Sequence, residues 1–397
     1  MAQPLMQTVS LSVSHVGLTT AVGPGLLSSL FFAEAGLAAP VASPFFKPAE
    51  GKDEPLEPVA IQACPWLPPQ MPVSQRLIRL ALRAAHEALD AHLDAQDAAA
   101  PRPGVWLIVP AERPGVTAAT ISDLNATIWK ELRPRNVRVF TDETGTMQAI
   151  QEIAQVLNAG EASALLLAVD SYFCAETAAL LVAEPTSPWE PTPPTPSEAA
   201  AAVLFTGKGS RKTSLSASRS STLGFSQVSA PPSVDPMSAT ALATSRLSST
   251  ALGAGGSSGI ARVVSVGAAT GLATESNDEL QDGLAMTALL EGLNQAVRPD
   301  VVLGPSQLSV FRSREWEMAA CRAPSKLGPE HQELDVSSLF GWVGAASPTV
   351  ALVYAIAATR LGLLQPKDGN WLTAAVWSLA PSGARGLLGV MTEAQTT

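Results

Sequence analysis

Apolar residues along this chain fall into two rhythms, short runs of strand length and stripes of helical period. The opening alternation VSLSVSHVGLTT, within 1–24, predicts a strand leading into a Gly turn. Residues 26–37 predict a short helix, and 38–73 read as a Pro-rich surface segment. From Ser74 the pattern SQRLIRLALRAAHEALDAHL predicts a helix capped by Ser74 after Pro72. Leu77, Ala81, Ala84, Ala85, Ala88 and Leu89 form its buried face. A Pro/Gly turn follows, then VWLIV at 105–109 as a buried strand, and 110–136 is less regular.

The stretch 138–171 carries the clearest pattern. It predicts a strand ending near Phe140, a polar elbow at 141–145, a helix, a Gly stop and a second strand. Met147, Ile150, Ala154 and Leu157 make one apolar stripe, and 162–169 is a continuous apolar run of strand length. Beyond a surface tract at 185–198 come a strand at 199–205 and a Ser-rich segment, 208–259. That segment holds too few large apolar residues to offset its ordering entropy, and predicts a flexible insert or linker. Strands at 261–266, 301–303, 371–377 and 387–391 alternate with helices at 283–297, 313–322 and 348–362. Helix 74–92 with VWLIV echoes helix 283–297 with VVL. Helix 146–158 with SALLLAVDS echoes helix 348–362 with WLTAAVWSL. The division expected is therefore 1–207, an insert at 208–259, and a second similar half at 260–397.

Composition narrows the class. With 46% hydrophobic and 15% charged residues, the 397-residue chain reads as a packed globular protein. A net charge of −10 argues against a nucleic-acid partner. Cys64, Cys174 and Cys321 show no ligand spacing and fit a reducing compartment; Cys174 and Cys321 read as buried structural thiols. No Lys or Arg precedes Lys47, so the apolar 16–46 lacks the charged start of a secretory leader. The apolar stretch 339–359 is span-length but carries Pro348 and is followed by Arg360, and reads as a buried core helix. A cytoplasmic protein without membrane insertion is expected. His86 and His92 point to different faces of their helix, and no metal or cofactor is expected. GAGGSSG at 253–259 and GKGSRKT at 207–213 lack the context and spacing of phosphate loops.

The order of motifs resembles the β-ketoacyl synthases of the thiolase-like superfamily. HVGLTTAVGPG (15–25) looks like the family's opening strand and turn, and RLIRLALRAAHEAL (76–89) like its helix LALxAAxEAL. TGTMQAIQEIAQVLNAGEASALLLAVDS (144–171) is similar to the helix and strand after the nucleophile. SEAAAAVLF (197–205) matches GEGAAxLVL, and FGWVGAASPTVALVYAIAATRLGLL (340–364) is similar to the GHxxGAAG helix. The resemblance implies an α/β thiolase-like fold, two βαβαβαββ halves in five αβαβα layers. It also implies a dimer paired through the strand behind the elbow.

The family's chemistry does not carry over residue by residue. Where the resemblance places a nucleophilic Cys stand Asp142, Glu143 and Thr144. The first family His falls at 307–309 (Gln307, Ser309), the second at Trp342, and the upstream Lys at Ser337 or Ser338. Asp142 and Glu143 read as helix-capping carboxylates, and Trp342 as bulk filling the vacated His space. The expectation is a catalytically inactive ketosynthase-like binding or scaffolding partner, a homodimer or a heterodimer with an active ketosynthase, in the manner of a chain-length factor. The alternatives are an adaptor with protein cargo beside a bacterial secretion system, and an enzyme remodelled around Asp142 and Glu143.

Overall fold

The alternation that opens the chain folds as β1 (Gln7–Thr20), and the rest of the molecule is built outward from it on both sides. The computed structural model describes residues 6–37, 41–46, 58–95, 102–183, 195–207, 259–271, 283–305, 310–367, 369–380 and 382–394. The expected insert lies outside the described residues apart from Gly259, as do 185–194 of the preceding Pro-rich tract.

On one side of β1 lie β7 (Glu198–Thr206), β6 (Ser163–Ser171), β4 (Gly104–Val109) and β5 (Val137–Thr141). On the other lie β8 (Ala261–Thr270), β12 (Ala384–Glu393), β11 (Trp371–Leu379), β9 (Val301–Gly304) and β10 (Gln332–Asp335). Each side repeats the other: β4 pairs parallel with β5 and β6, as β9 does with β10 and β11. The remaining pairs are antiparallel on both sides, and an antiparallel β1–β8 seam joins the two sets. The two echoes in sequence thus occupy equivalent positions in the sheet. A separate hairpin-like pair, β2 (Val41–Phe46) and β3 (Pro58–Ile61), belongs to the segment expected to be surface. Ile61 is buried there with Phe173 and Ala178, and Cys64 is buried in the core that also holds Leu77 and Leu80.

Strand parity separates the interior into layers. In β4, Trp106 and Ile108 join the central core while Val105, Leu107 and Val109 join an outer one. That outer core is completed by α2 (Val73–Ala95) and α3 (Ala118–Leu132). In β11, Ala374 and Val376 face the centre, whereas Ala375 and Trp377 face a third core with α6 (Leu284–Glu291) and α7 (Val310–Arg322). Between the two sheet halves run α4 (Gly145–Asn158) and α9 (Ser347–Arg360), giving five layers, αβαβα. Both faces of each strand are covered, which is why the strands read as continuous apolar runs. All of α9 after Ser347 is buried, as its uniform apolarity requires. Among the described residues no helix is long and apolar enough to cross a membrane.

Several local expectations are corrected. Residues 110–136 contain α3, whose N-cap Thr117 accepts a bond from the Thr120 N–H; its stripe of Leu124, Ile128 and Leu132 is widely spaced. The second helix begins at Val73, so Ser74 lies inside its first turn and is not the cap. The helix expected at 283–297 stops at Glu291, and a turn carries the chain to Asp300. Cys174 is buried as expected, but Cys321 is exposed on α7. Gly17 has a packing role: a Cβ there would lie 2.2 Å from the Ala84 carbonyl oxygen, so only Gly lets α2 cross β1.

Each half ties a helix to its last strand with a buried ion pair, of opposite polarity in the two halves. In the first, Arg76 of α2 meets Glu198 of β7; in the second, Glu315 of α7 accepts from Arg385 Nε of β12 at 2.7 Å. A half-buried imidazole, His15, beside the buried His92 adds a pH dependence. His15 is held down to about 4 by burial and by His92, whose own pKa burial also lowers. A folded value below the unfolded one, about 6.5, means the neutral ring is favoured. Its contribution is complete above pH 6.5 and lost as pH falls towards 4. Denaturation midpoints of the wild type and His15→Gln across that window should converge on acidification, by up to about 3 kcal/mol. Parallel pH profiles would refute this.

Candidate functional site

The elbow after β5 is a tight turn held by four bonds. Asp142 N–H donates to the Val109 carbonyl and Gly145 N–H to the Asp142 carbonyl, both at 3.1 Å. Asp142 takes a left-handed φ of +74°, a conformation Asp tolerates better than most residues. Its Oδ1 accepts from Glu143 N–H at 2.6 Å, and its Oδ2 accepts from Ser382 Oγ at 3.2 Å. The carboxylate therefore ties the turn to the β11–β12 connection and does not cap α4. Thr144 holds the N-cap position, without a side-chain cap bond. The capping reading is thus corrected: the turn geometry spends Asp142 elsewhere.

Glu143, only 3% exposed, lines a narrow pocket. Gly304 and Pro305 at the end of β9, Ser337 of α8 (Val336–Phe340), and Gly341 and Val343 line it further. Ser347 and Pro348 at the start of α9 complete that wall, with Trp377 and Ser378 of β11 opposite. Of the positions singled out in the sequence, Glu143 and Ser337 are brought together here. Ser337 is the pocket residue, its N–H and Oγ held by Asp335 Oδ1, while Ser338 is exposed and bonded to the Asp335 carbonyl. Gln307 and Ser309 lie outside the described residues.

Two helix N-termini meet here. Thr146 of α4 and Thr349 of α9, both fully buried, share a hydroxyl bond of 2.9 Å. Their dipoles favour negative charge at this end, and Glu143 places a carboxyl group there. Among the described lining residues there is no thiol, imidazole or amine. A carboxylate can accept hydrogen bonds or hold a proton, but an acyl group transferred to it would form a labile anhydride instead of a thioester.

Trp342 does not fill this pocket. Gly341 and Val343 line it, and the intervening Trp342 stacks on Tyr172 with ring centres 4.6 Å apart. Arg113 covers Tyr172 at 4.2 Å and binds Asp170 through Nη2 at 2.5 Å. Asp170, fully buried at the end of β6, also accepts the Ala345 N–H at 2.9 Å, which fixes the loop before α9 to the first half of the molecule. Gly344 makes this approach possible, with φ +45° and space for no Cβ. Sequence reasoning gave this clamp no role. Its one signal was a carboxylate closing an otherwise apolar strand.

Comparison with known proteins places the architecture. No protein-family model matches the chain, and no curated protein is similar to it. Solved structures are. The ishigamide ketosynthase/chain length factor is 17% identical with a TM-score of 0.61, covering 97% of this chain and 100% of its own. An oxazolomycin ketosynthase domain of Streptomyces albus JA3453 is 11% identical, with a TM-score of 0.64 over 98% of this chain and 76% of that one. A ketosynthase from the bacillaene synthase of Bacillus subtilis 168 is 12% identical, with a TM-score of 0.64 over 98% and 72%. The chain has the thiolase-like fold of ketosynthases and chain-length factors.

Proposed function

We propose that this protein is a catalytically silent ketosynthase-like subunit that acts as a binding or scaffolding partner, in the manner of a chain-length factor in acyl or polyketide assembly. The observation that carries this reading is the pocket at the elbow, where Glu143 stands on the wall that a nucleophile would occupy. Condensation by this fold needs a thiolate that can hold an acyl group, and a carboxylate does not replace it. Gln307, Ser309, Trp342 and Ser337 occupy the positions matched to the family's basic residues, none of them able to carry a proton to or from an enolate. Asp142 spends its carboxylate on the Glu143 N–H and on Ser382, which weighs against its acting as one of an acid–base pair. In this reading the chain divides at 208–259 into two halves that meet at the pocket.

The partner surface follows from the sheet. β5 is an edge strand with Val139 40% exposed, and an uncovered edge is a template for a further strand. A second ketosynthase-type subunit pairing there would bring two elbows close together. Native mass spectrometry of the tagged protein from its own host tests the proposal. A complex with a Cys-bearing ketosynthase is expected, weakened at least tenfold by Val139→Lys. A homodimer carrying an unrelated protein would overturn the assembly-line role and favour an adaptor.

A further inference from the structure

Outside the pocket, the chemistry-bearing pair that the proposed function leaves unused is His15 with His92. His15 stands on β1 beside a register irregularity, and His92 on the last turn of α2. Their ring centres are 6.1 Å apart with planes inclined at 66°. His92 is 94% buried, being 6% exposed. Nδ1 of His15 and Nε2 of His92 are both buried and have no hydrogen-bond partner among the described residues. A buried polar atom left unbonded costs about 1–3 kcal/mol, so two in adjacent rings mark a place where something is expected to bind.

We propose that His15 and His92 form a two-coordinate site for a monovalent d10 cation of the copper(I) class, ligated by Nδ1 of His15 and Nε2 of His92. A metal–imidazole bond of about 2 Å on each side, plus roughly 1.1 Å from ring centre to nitrogen, needs centres roughly 6 Å apart. Rotation about a linear nitrogen–metal–nitrogen axis leaves both bonds intact, so an inclination of 66° is compatible with the site. The rings are kept neutral by burial, the form that ligates. No group of three His, Cys, Asp or Glu able to hold a metal exists among the described residues, so a tetrahedral zinc centre lacks its ligands. Neutral ligands also leave the ion's full charge in place. Burying a divalent ion this way costs roughly four times as much as burying a monovalent one, since the Born cost rises with the square of the charge.

The test uses the full chain with Cys321→Ser, which removes the exposed thiol that would compete for a soft cation. Silver(I) serves as the probe because it needs no reductant, and the ring signals of the four histidines are followed by NMR. One equivalent should shift the rings of His15 and His92 and leave those of His86 and His331 in place. His92→Asn should lower silver affinity at least tenfold. Unshifted His15 and His92 rings at several equivalents of silver would overturn the proposal and leave the pair a structural contact. The wild-type ring shifts decide this even if the variant folds poorly.

Discussion

Glu198→Ala lowers the unfolding free energy by about 3–5 kcal/mol, one of the two largest single-residue effects expected in the molecule. Glu198 and Arg76 are both fully buried. Arg76 donates through Nε to Oε2 at 2.8 Å and through Nη2 to Oε1 at 2.5 Å. Cys64 N–H and Ser171 Oγ complete the carboxylate's acceptor set at 2.6 and 2.9 Å. Arg76 also packs over Phe173 at 4.3 Å and donates to the Pro68 carbonyl. Removing the carboxylate leaves a guanidinium in the interior with one carbonyl and a ring face for company. The pair joins α2 and β3's exit loop to β7, so its loss loosens the outer layer of the first half. Arg76→Met with Glu198→Leu should recover most of the stability, because the cost lies in the stranded charge more than in the missing bond. Urea titrations of the three variants decide the matter. A Glu198→Ala loss below about 1 kcal/mol would show that water reaches the guanidinium.

Gly344→Ala is expected to cost on the order of 2–4 kcal/mol, concentrated at the pocket wall. Residue 344 has φ +45°, and its Cβ would lie 2.3 Å from Asp170 Oδ2 and 2.6 Å from the Tyr172 hydroxyl oxygen. Both groups are pinned, Asp170 by Arg113 and the Ala345 N–H, and Tyr172 between Arg113 and Trp342. The backbone must therefore move, and it carries Val343 of the pocket with it. Hydrogen exchange reports this directly: the Ala345 amide should lose protection while amides of β12 keep theirs. Equal protection in wild type and variant would mean that the loop absorbs a methyl without releasing Asp170.

The repeat, the central helices and most of the core were legible before any coordinates. Stripes such as Met147, Ile150, Ala154 and Leu157 fix a helix face through a period that no other structure shares, and all four are buried. Where local signals were weak the reading failed. α3 has polar residues between its buried positions, and β2 and β3 are short and rich in Pro, so neither announced itself. The apolar helix expected through residue 297 ends at Glu291, and Leu293 and Val297 join the third core from the turn that follows.

Site chemistry was legible only as a set of residue types. The sequence by itself determined the αβ alternation, the repeated helix–strand units and the elbow at 141–145, since these rest on period or identity. Tertiary structure alone decided that Glu143 enters the pocket while Asp142 bonds Ser382, that Trp342 stacks on Tyr172, and that His15 meets His92. Those outcomes depend on where segments up to hundreds of residues apart are packed, and on a left-handed turn at Asp142. Sequence spacing carries no record of either.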